Sequence, residues 1–323
     1  MTHALRLYEP GAPDVMKWEE VDVGKPSKGE LRLRHTAVGL NYIDTYHRSG
    51  LYPLALPAIL GLEAAGVIEE MGPGVGGFKV GDRVAYGTGP AGAYSEARII
   101  PASQVVKIGR GISDEVAAAI MLKGMTVEYL FCRTYPLRKG QTILFHAAAG
   151  GVGLIACQWA KHLGCTVIGT VGSSEKAELA RQHGCAHTIL YREENIVDRV
   201  MEITKGKGVP IVYDSVGKDT FLQSIECLHR RGVLVSFGQA SGAIPDVNLQ
   251  VFAPKSLYLT RPMLFGYTAT REELELSAKR LFGVIQKGIV KVRIGQRYPL
   301  KEAVGAHQDL EARKLTGSTV FIP

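Results

Sequence analysis

No apolar run in the 323 residues approaches the roughly 18 residues of a membrane-spanning helix. The opening Met1-Thr2-His3-Ala4-Leu5-Arg6 lacks the basic, apolar and small-residue layout of a secretory signal, so a cytoplasmic protein is expected. Cysteine is sparse: Cys132, Cys157, Cys165, Cys185 and Cys227 contain no C-x-x-C pair. That spacing excludes a structural zinc lobe and leaves small buried thiols as the expectation. Charge is unbalanced, with 38 Lys and Arg against 31 Asp and Glu, a net +7. The basic residues are scattered rather than clustered, which argues against a dedicated nucleic-acid face and for a small anionic ligand.

Glycine is abundant, at 38 residues, and one glycine-rich stretch organises the rest: Phe145-His146-Ala147-Ala148-Ala149-Gly150-Gly151-Val152-Gly153. It follows an apolar run, Thr142–Phe145, that reads as a strand. It opens a helix, Val152–Leu163, with apolar residues at Val152, Ile155, Ala156, Trp159, Ala160 and Leu163, and Gly164 stops it. Strand, glycine turn and helix place backbone N–H groups and a helix N-terminus at one spot, which attracts a diphosphate. The dinucleotide fingerprint G-x-G-x-x-G appears as Ala148-Ala149-Gly150-Gly151-Val152-Gly153, with alanine in the first glycine's place.

A further absence narrows the ligand. An NAD site carries an acid about 20 residues after the turn, at the end of the second strand, to hold the ribose 2′-hydroxyl. Here the chain reads Thr170-Val171-Gly172-Ser173-Ser174, with Lys176 close by and Tyr191-Arg192 ending the next strand. Hydroxyls, backbone N–H groups and a cation suit a 2′-phosphate, so NADPH is expected over NADH. Glu175 is a complication, but it falls in the first helical turn and can point away.

Residues 1 to about 120 read as mostly β, with strands at Glu30–Val38, Ala65–Glu70, Arg83–Tyr86, Ala93–Ala97 and Gln104–Ile108. Gly72-Pro73-Gly74 and Gly81-Asp82 punctuate them, and a small barrel or sandwich is expected. Ser113 caps a helix over Asp114–Met121, and a second helix is expected near Thr126–Thr134. From about 125 to 260, strands Thr166–Val171, His187–Leu190, Ile211–Asp214 and Val233–Phe237 alternate with helices Ser174–His183, Ile196–Thr204 and Thr220–Arg230. Gly164, Gly184 and Gly232 are each read as ending a helix and leading straight into a strand, as in a parallel sheet wound by right-handed crossovers. Ser256–Thr260 is expected at the sheet edge. The tail carries a helix from about Arg271 to Gly288 and strand-like pieces at Val290–Val292 and Thr319–Ile322.

Two stretches, Gly61–Ile68 through Gly81–Val84 and His146–Gly153 through Gln158–Ala160, resemble the zinc-independent quinone oxidoreductases, or ζ-crystallin type, of the medium-chain dehydrogenase/reductase superfamily. Asn41–Tyr46, Tyr213–Gly217 and Thr260-Arg261-Pro262 fit as well, and the resemblance covers essentially the whole chain. It implies an α/β architecture in which a Rossmann-type doubly wound parallel sheet, residues 123–263, is inserted in a GroES-like β-barrel substrate domain, residues 1–122 plus 264–323. It also implies a cleft where nicotinamide meets substrate, and a homodimer, for which the unpaired backbone of Ser256–Thr260 is the expected contact. The cofactor contacts it implies are Asn41, Gly150, Gly151, Val152, Gly172, Ser173, Lys176, Tyr191, Ser215, Phe237, Leu264, Phe265 and Arg313.

The zinc alcohol dehydrogenases of that superfamily read Gly-His-Glu where this chain has Gly61-Leu62-Glu63, and their cysteine ligand near Val38–Asn41 is absent. Leucine binds no metal, so none is expected and Glu63 is left with an ion-pair role. A quinone is already a hydride acceptor and needs positioning rather than a Lewis acid. Asn41, Asp44, Tyr46 and Tyr52 lie on the loop expected to face the cleft and are the candidate catalytic residues. Asn41 and the tyrosines are read as donors to a developing oxyanion, with pocket lining as the tyrosines' alternative. Lys123 is read as a further donor or as a solvent-facing residue. The expected activity is NADPH-dependent reduction of a quinone. The alternatives are an enone or enoyl reductase of the same superfamily and, from the pI of ≈ 9.1, an NADPH-linked RNA-binding protein.

Overall fold

Alternating apolar residues and glycine turns build the first part of the chain. The computed structural model describes residues 2–323. It begins with β1 (Thr2–Leu7), β2 (Met16–Val21), β3 (Glu30–Leu40), α1 (Tyr42–Arg48), β4 (Ala58–Ile59), β5 (Ala64–Met71), β6 (Arg83–Tyr86), β7 (Ala97–Pro101) and β8 (Val106–Lys107). α2 (Asp114–Tyr129) then runs into a π-helical turn, Leu130–Thr134. The alternating part comprises β9 (Thr142–Phe145), α3 (Gly151–His162), β10 (Thr166–Val171), α4 (Ser174–Gln182), β11 (His187–Leu190), α5 (Ile196–Ile203), β12 (Val209–Asp214), α6 (Phe221–Cys227), β13 (Leu228–Ser236) and β14 (Tyr258–Thr260). α7 (Leu264–Tyr267), α8 (Arg271–Gln286), β15 (Ile294–Pro299), α9 (Ala303–Glu311) and β16 (Ser318–Ile322) follow.

The chain forms two units. The first takes in residues up to Thr126, Tyr267–Gly288 and Val292–Pro323; the second takes Val127–Gly266 and Ile289–Lys291. In the first, a small sheet is ordered β2-β1-β4 and a larger one β15-β16-β3-β5-β6-β8, with β7 also paired to β3. Along β3, Leu31 and Leu33 are buried while Arg32 and Arg34 are not, which is the alternation of a sheet with one face on a core. Leu5, Leu7, Tyr86, Tyr94, Ile100 and Phe321 belong to that core.

The second unit is one parallel sheet ordered β11-β10-β9-β12-β13-β14. Ile143–Phe145 and Val167–Val171 are buried without interruption, as strands covered on both faces must be. The winding reverses between β9 and β12, and such a switch point opens a crevice at the carboxyl ends of the strands. β14 lies at the edge, as expected of Ser256–Thr260.

Several expectations are corrected. Ala93–Ala97 is no strand; the strand is Ala97–Pro101, because the Ser95 hydroxyl donates to Gly92 O at 2.9 Å and Tyr94 turns inward to Asp44. The two helices expected around Lys123 are one, α2. Gly124 does not break it but makes room for α8: a Cβ there would lie 2.4 Å from Leu281 Cδ1. Gly164 and Gly184 end helices at φ 77° and 96°, but Gly232 lies inside β13. α6 closes earlier because Lys255 Nζ takes the Glu226 and Leu228 carbonyls at 2.8 Å each. Val290–Val292 forms no strand, since the Gln158 amide brackets Lys291 N (2.9 Å) and O (3.1 Å). The stretch after Asn41, expected as a loop, is helix α1. β1, β2, β4, β15, α7 and α9 have no counterpart among the expected elements.

Candidate active site

The glycine turn follows β9 and is stitched to both neighbouring strands: His146 N donates to Tyr213 O and Ala148 N to Thr170 O, each at 3.0 Å. Gly150 caps α3. A Cβ on Gly153 would lie 2.4 Å from Ala147 O and 2.6 Å from Ala148 C, so only glycine lets the helix close onto the turn. The first-turn N–H groups of α3 have no intrahelical acceptor and, with the helix dipole, make an anion site. Across the sheet, a Cβ on Gly169 would come within 2.5 Å of the Ala148 methyl.

After β10, Gly172 faces Tyr191; a Cβ there would stand 2.8 Å from the phenol oxygen. Ser173 caps α4, accepting from Lys176 N at 3.3 Å. A hydrogen bond with the Ser173 side chain holds the Glu175 carboxyl below the usual range. Ser215 follows β12 and Phe237 follows β13, its ring centroid 5.8 Å from that of Phe145. Gly150, Gly151, Val152, Gly172, Ser173, Lys176, Tyr191, Ser215 and Phe237 are therefore gathered along the carboxyl edge of one parallel sheet. Leu264 and Phe265 open α7 beyond β14.

In the first unit, Asn41 caps α1 and its Nδ2 donates to Glu63 Oε2 at 2.8 Å. The same oxygen accepts from Lys123 Nζ at 3.0 Å, and Oε1 from Leu122 N at 2.7 Å. Glu63 thus has the expected ion pair. Lys123 is not solvent-facing; it is buried against Glu63. Asp44 Oδ2 accepts from Asn41 N (2.8 Å) and Tyr94 Oη (2.9 Å), and burial pushes its pKa up to about 7. Tyr94 Oη also lies 2.9 Å from His307 Nε2, and Arg48 Nη1 lies 3.0 Å from His307 Nδ1. Arginine only donates, so His307 accepts at Nδ1, donates from Nε2 to Tyr94, and Tyr94 donates to Asp44. Burial, with Arg48 beside it, lowers His307 to about 3 and keeps it neutral. Tyr46 is buried, its ring 5.8 Å from Tyr42 and 5.2 Å from Tyr52. Arg313 belongs to this unit, and its charge acts on Tyr42. Arg48, Tyr94 and His307 carried no sequence signal, being joined to Asp44 only by folding. Leu62 is buried. Among the described residues, no group of three or more His, Cys, Asp or Glu converges as a metal site. Cys157, Cys165, Cys185 and Cys227 are buried as expected, Cys132 is half-buried, and none of the five is in a disulfide.

Two family models match: an alcohol dehydrogenase GroES-like domain over residues 27–110 and a zinc-binding dehydrogenase domain over residues 151–280. A quinone oxidoreductase of Pseudomonas aeruginosa is 55% identical, over 100% of both chains. The chain belongs to the quinone oxidoreductase family. A second similar protein is a 2-haloacrylate reductase of a Burkholderia species, 45% identical over 100% of this chain and 99% of that one. The crystal structure of Escherichia coli quinone oxidoreductase complexed with NADPH matches with a TM-score of 0.98 at 49% identity, covering 100% of both chains. The Rossmann-type sheet and the GroES-like domain expected of the family are those observed. One domain description names zinc, but position 62, where the zinc enzymes were expected to carry histidine, is leucine here.

Proposed function

We propose that this chain is an NADPH-dependent quinone reductase that works without a metal. The observation that carries the reading is the carboxyl edge of the second unit's sheet. It combines a diphosphate-shaped turn with a β10 end where Ser173 and Lys176 stand and the NAD-type carboxylate is missing. The residues fit the cofactor: Gly153 lets α3 close tightly onto the turn, and the α3 N-terminus supplies N–H donors. When bound, NADPH supplies a hydride from its nicotinamide C4.

Gly150, Gly151 and Val152 hold the diphosphate, and Gly172, Ser173, Lys176 and Tyr191 the adenosine end with its 2′-phosphate. Ser215, Phe237, Leu264, Phe265, Asn41 and Arg313 complete the proposed set. We assign the quinone to the first unit. Asn41, its amide fixed by Glu63, donates to the quinone oxygen, Tyr46 and Tyr52 present flat apolar faces with hydroxyls, and Asp44 positions Asn41 through the backbone.

The test is steady-state kinetics with NADPH and NADH against benzoquinones, naphthoquinones and α,β-unsaturated ketones. Quinone turnover with NADPH preferred is expected. Lys176→Ala should raise the NADPH KM about tenfold, the worth of one charge-assisted hydrogen bond, and leave NADH alone. An unchanged NADPH-to-NADH ratio removes Lys176 from the role. The 2-haloacrylate reductase favours one second reading, reduction of an activated carbon–carbon double bond. Turnover of enones without quinones would establish it.

We place a homodimer contact at β14, whose Tyr258 and Leu259 are exposed at the sheet edge. A monomeric mass by light scattering would defeat that placement. Among the described residues, no helix is long and apolar enough to cross a membrane, and we assign the enzyme to the cytoplasm.

A further inference from the structure

His146 belongs to the cofactor turn by sequence, yet its ring is fully buried beneath it. Nδ1 lies 3.0 Å from Thr170 Oγ1 and Nε2 lies 3.0 Å from Ser224 Oγ. Ser224 Oγ lies 2.8 Å from Asp214 Oδ2, and Thr170 Oγ1 accepts the Ala147 N–H at 3.2 Å. Asp214 Oδ1 accepts from Val216 N at 2.8 Å and Gly217 N at 3.0 Å, and the Thr220 hydroxyl adds a further bond to this carboxylate. Thr170, Ser224 and Asp214 are all buried.

The proton positions follow from chemistry. A carboxylate only accepts, so the single Ser224 hydroxyl proton goes to Asp214. Ser224 can then only accept from His146, which must carry its proton on Nε2. Burial lowers the His146 pKa and keeps the ring neutral, so Nδ1 is bare and accepts from the Thr170 hydroxyl. The result is a one-way chain from the Ala147 backbone, through Thr170, His146 and Ser224, to Asp214. Its two ends hold the turn after β9 and the turn after β12. Ala147 sits at φ 54°, a conformation that a side chain rarely adopts, and the bond to Thr170 ties it there.

We propose that His146 is a positioning residue for NADPH, fixing the Ala147–Gly153 and Ser215–Gly217 turns in their binding geometry before the cofactor arrives. The inference rests on the reading that these two turns bind NADPH. Its physical basis is preorganisation: a turn already held in its bound shape loses less freedom on binding.

The experiment compares wild type with Thr170→Val, Ser224→Ala, their double variant and His146→Phe. The measurements are NADPH Kd by fluorescence titration, kcat at saturating NADPH, and Tm. Thr170→Val removes one hydroxyl at almost constant volume. NADPH Kd and KM are expected to rise about tenfold in Thr170→Val and His146→Phe, with kcat within about threefold of wild type. The double variant should lose little more than the worse single, because both cut one chain. ¹⁵N NMR of the wild-type imidazole at neutral pH should show His146 protonated on Nε2 alone. Lower Tm with unchanged Kd would reduce the chain to core packing and overturn the proposal, as would a proton on Nδ1. If His146→Phe does not fold, Thr170→Val and the tautomer decide. Wild-type protein that fails to bind NADPH overturns the functional reading and this proposal together. Wild-type binding with unaltered variants overturns this proposal alone.

Discussion

Lys123→Met strips the cation from a fully buried carboxylate. In the native protein, Glu63 Oε2 accepts from Lys123 Nζ at 3.0 Å and from Asn41 Nδ2 at 2.8 Å, while Oε1 accepts from Leu122 N at 2.7 Å. The two charged side chains are 8% and 0% exposed, so water screens neither. Breaking a buried pair from one side costs about 3–5 kcal/mol, because the remaining charge is uncompensated. Glu63 keeps two neutral donors, which places the expected loss at the lower end, about 3 kcal/mol. Glu63→Gln is expected to cost a similar amount by stranding the ammonium. The double variant removes both charges and should be about 2 kcal/mol less damaged than the sum of the singles. The assay is urea unfolding in a Trp159→Phe background, where Trp18, the other of two tryptophans, reports the first unit alone. A coupling below about 0.5 kcal/mol, the worth of an exposed pair, would refute the reasoning.

Three further outcomes are expected. Asp44 titrates near 7 in the folded protein against an ordinary 3.8, so the folded state holds this proton more tightly than the unfolded chain. Its contribution to stability is full below pH 3.8 and is lost as pH rises through 7; Asp44→Asn should remove that part of the pH dependence, and identical urea midpoint profiles for variant and wild type from pH 4 to 8 would contradict it. Gly153→Ala drives a methyl to 2.4 Å from Ala147 O, which should cost about 1–3 kcal/mol and weaken NADPH binding; an unaltered thermal shift with NADPH would show that the turn yields freely. Tyr46→Phe and Asn41→Ala should lower kcat with a quinone, and turnover within about twofold of wild type would remove either residue from catalysis.

The legible parts of the fold are those with local causes. Thr142–Phe145, Thr166–Val171, His187–Leu190 and Arg83–Tyr86 have the extents read from sequence, because each is a short, β-branched or apolar-rich run close to a glycine or a polar residue. The places of the proposed cofactor residues of the second unit were legible too, since they cluster at strand ends in a series of short connections. The first unit resisted because its elements are settled by distant partners. Ala93–Ala97 alternates like a strand, yet Tyr94 is committed to Asp44 and His307, 50 and 213 positions away. Arg48 and His307 are separated by 259 positions, and no window of sequence contains both. Gly124 and Gly232 show the limit of glycine as punctuation. One lies inside a helix to admit Leu281, the other inside a strand. α1 was the avoidable omission. Asn41 with Asp44 three residues on is a helix-start signature, and the structure forms that capping box.

Ala148 stands where the dinucleotide fingerprint has its first glycine, and Gly169 shows where the lost space was recovered. A side chain at 169 would meet the Ala148 methyl at 2.5 Å and Cys185 Sγ at 2.7 Å, so the Ala148 methyl occupies space that a side chain at 169 would need. The glycine has in effect moved from the turn to the neighbouring strand. Substitutions at 148 and 169 are consequently one choice rather than two. Ala148→Gly should remove part of the cost of Gly169→Ala, leaving only the contact with Cys185 Sγ. A fingerprint scored along the chain registers a defect at 148; scored across the sheet, it is complete.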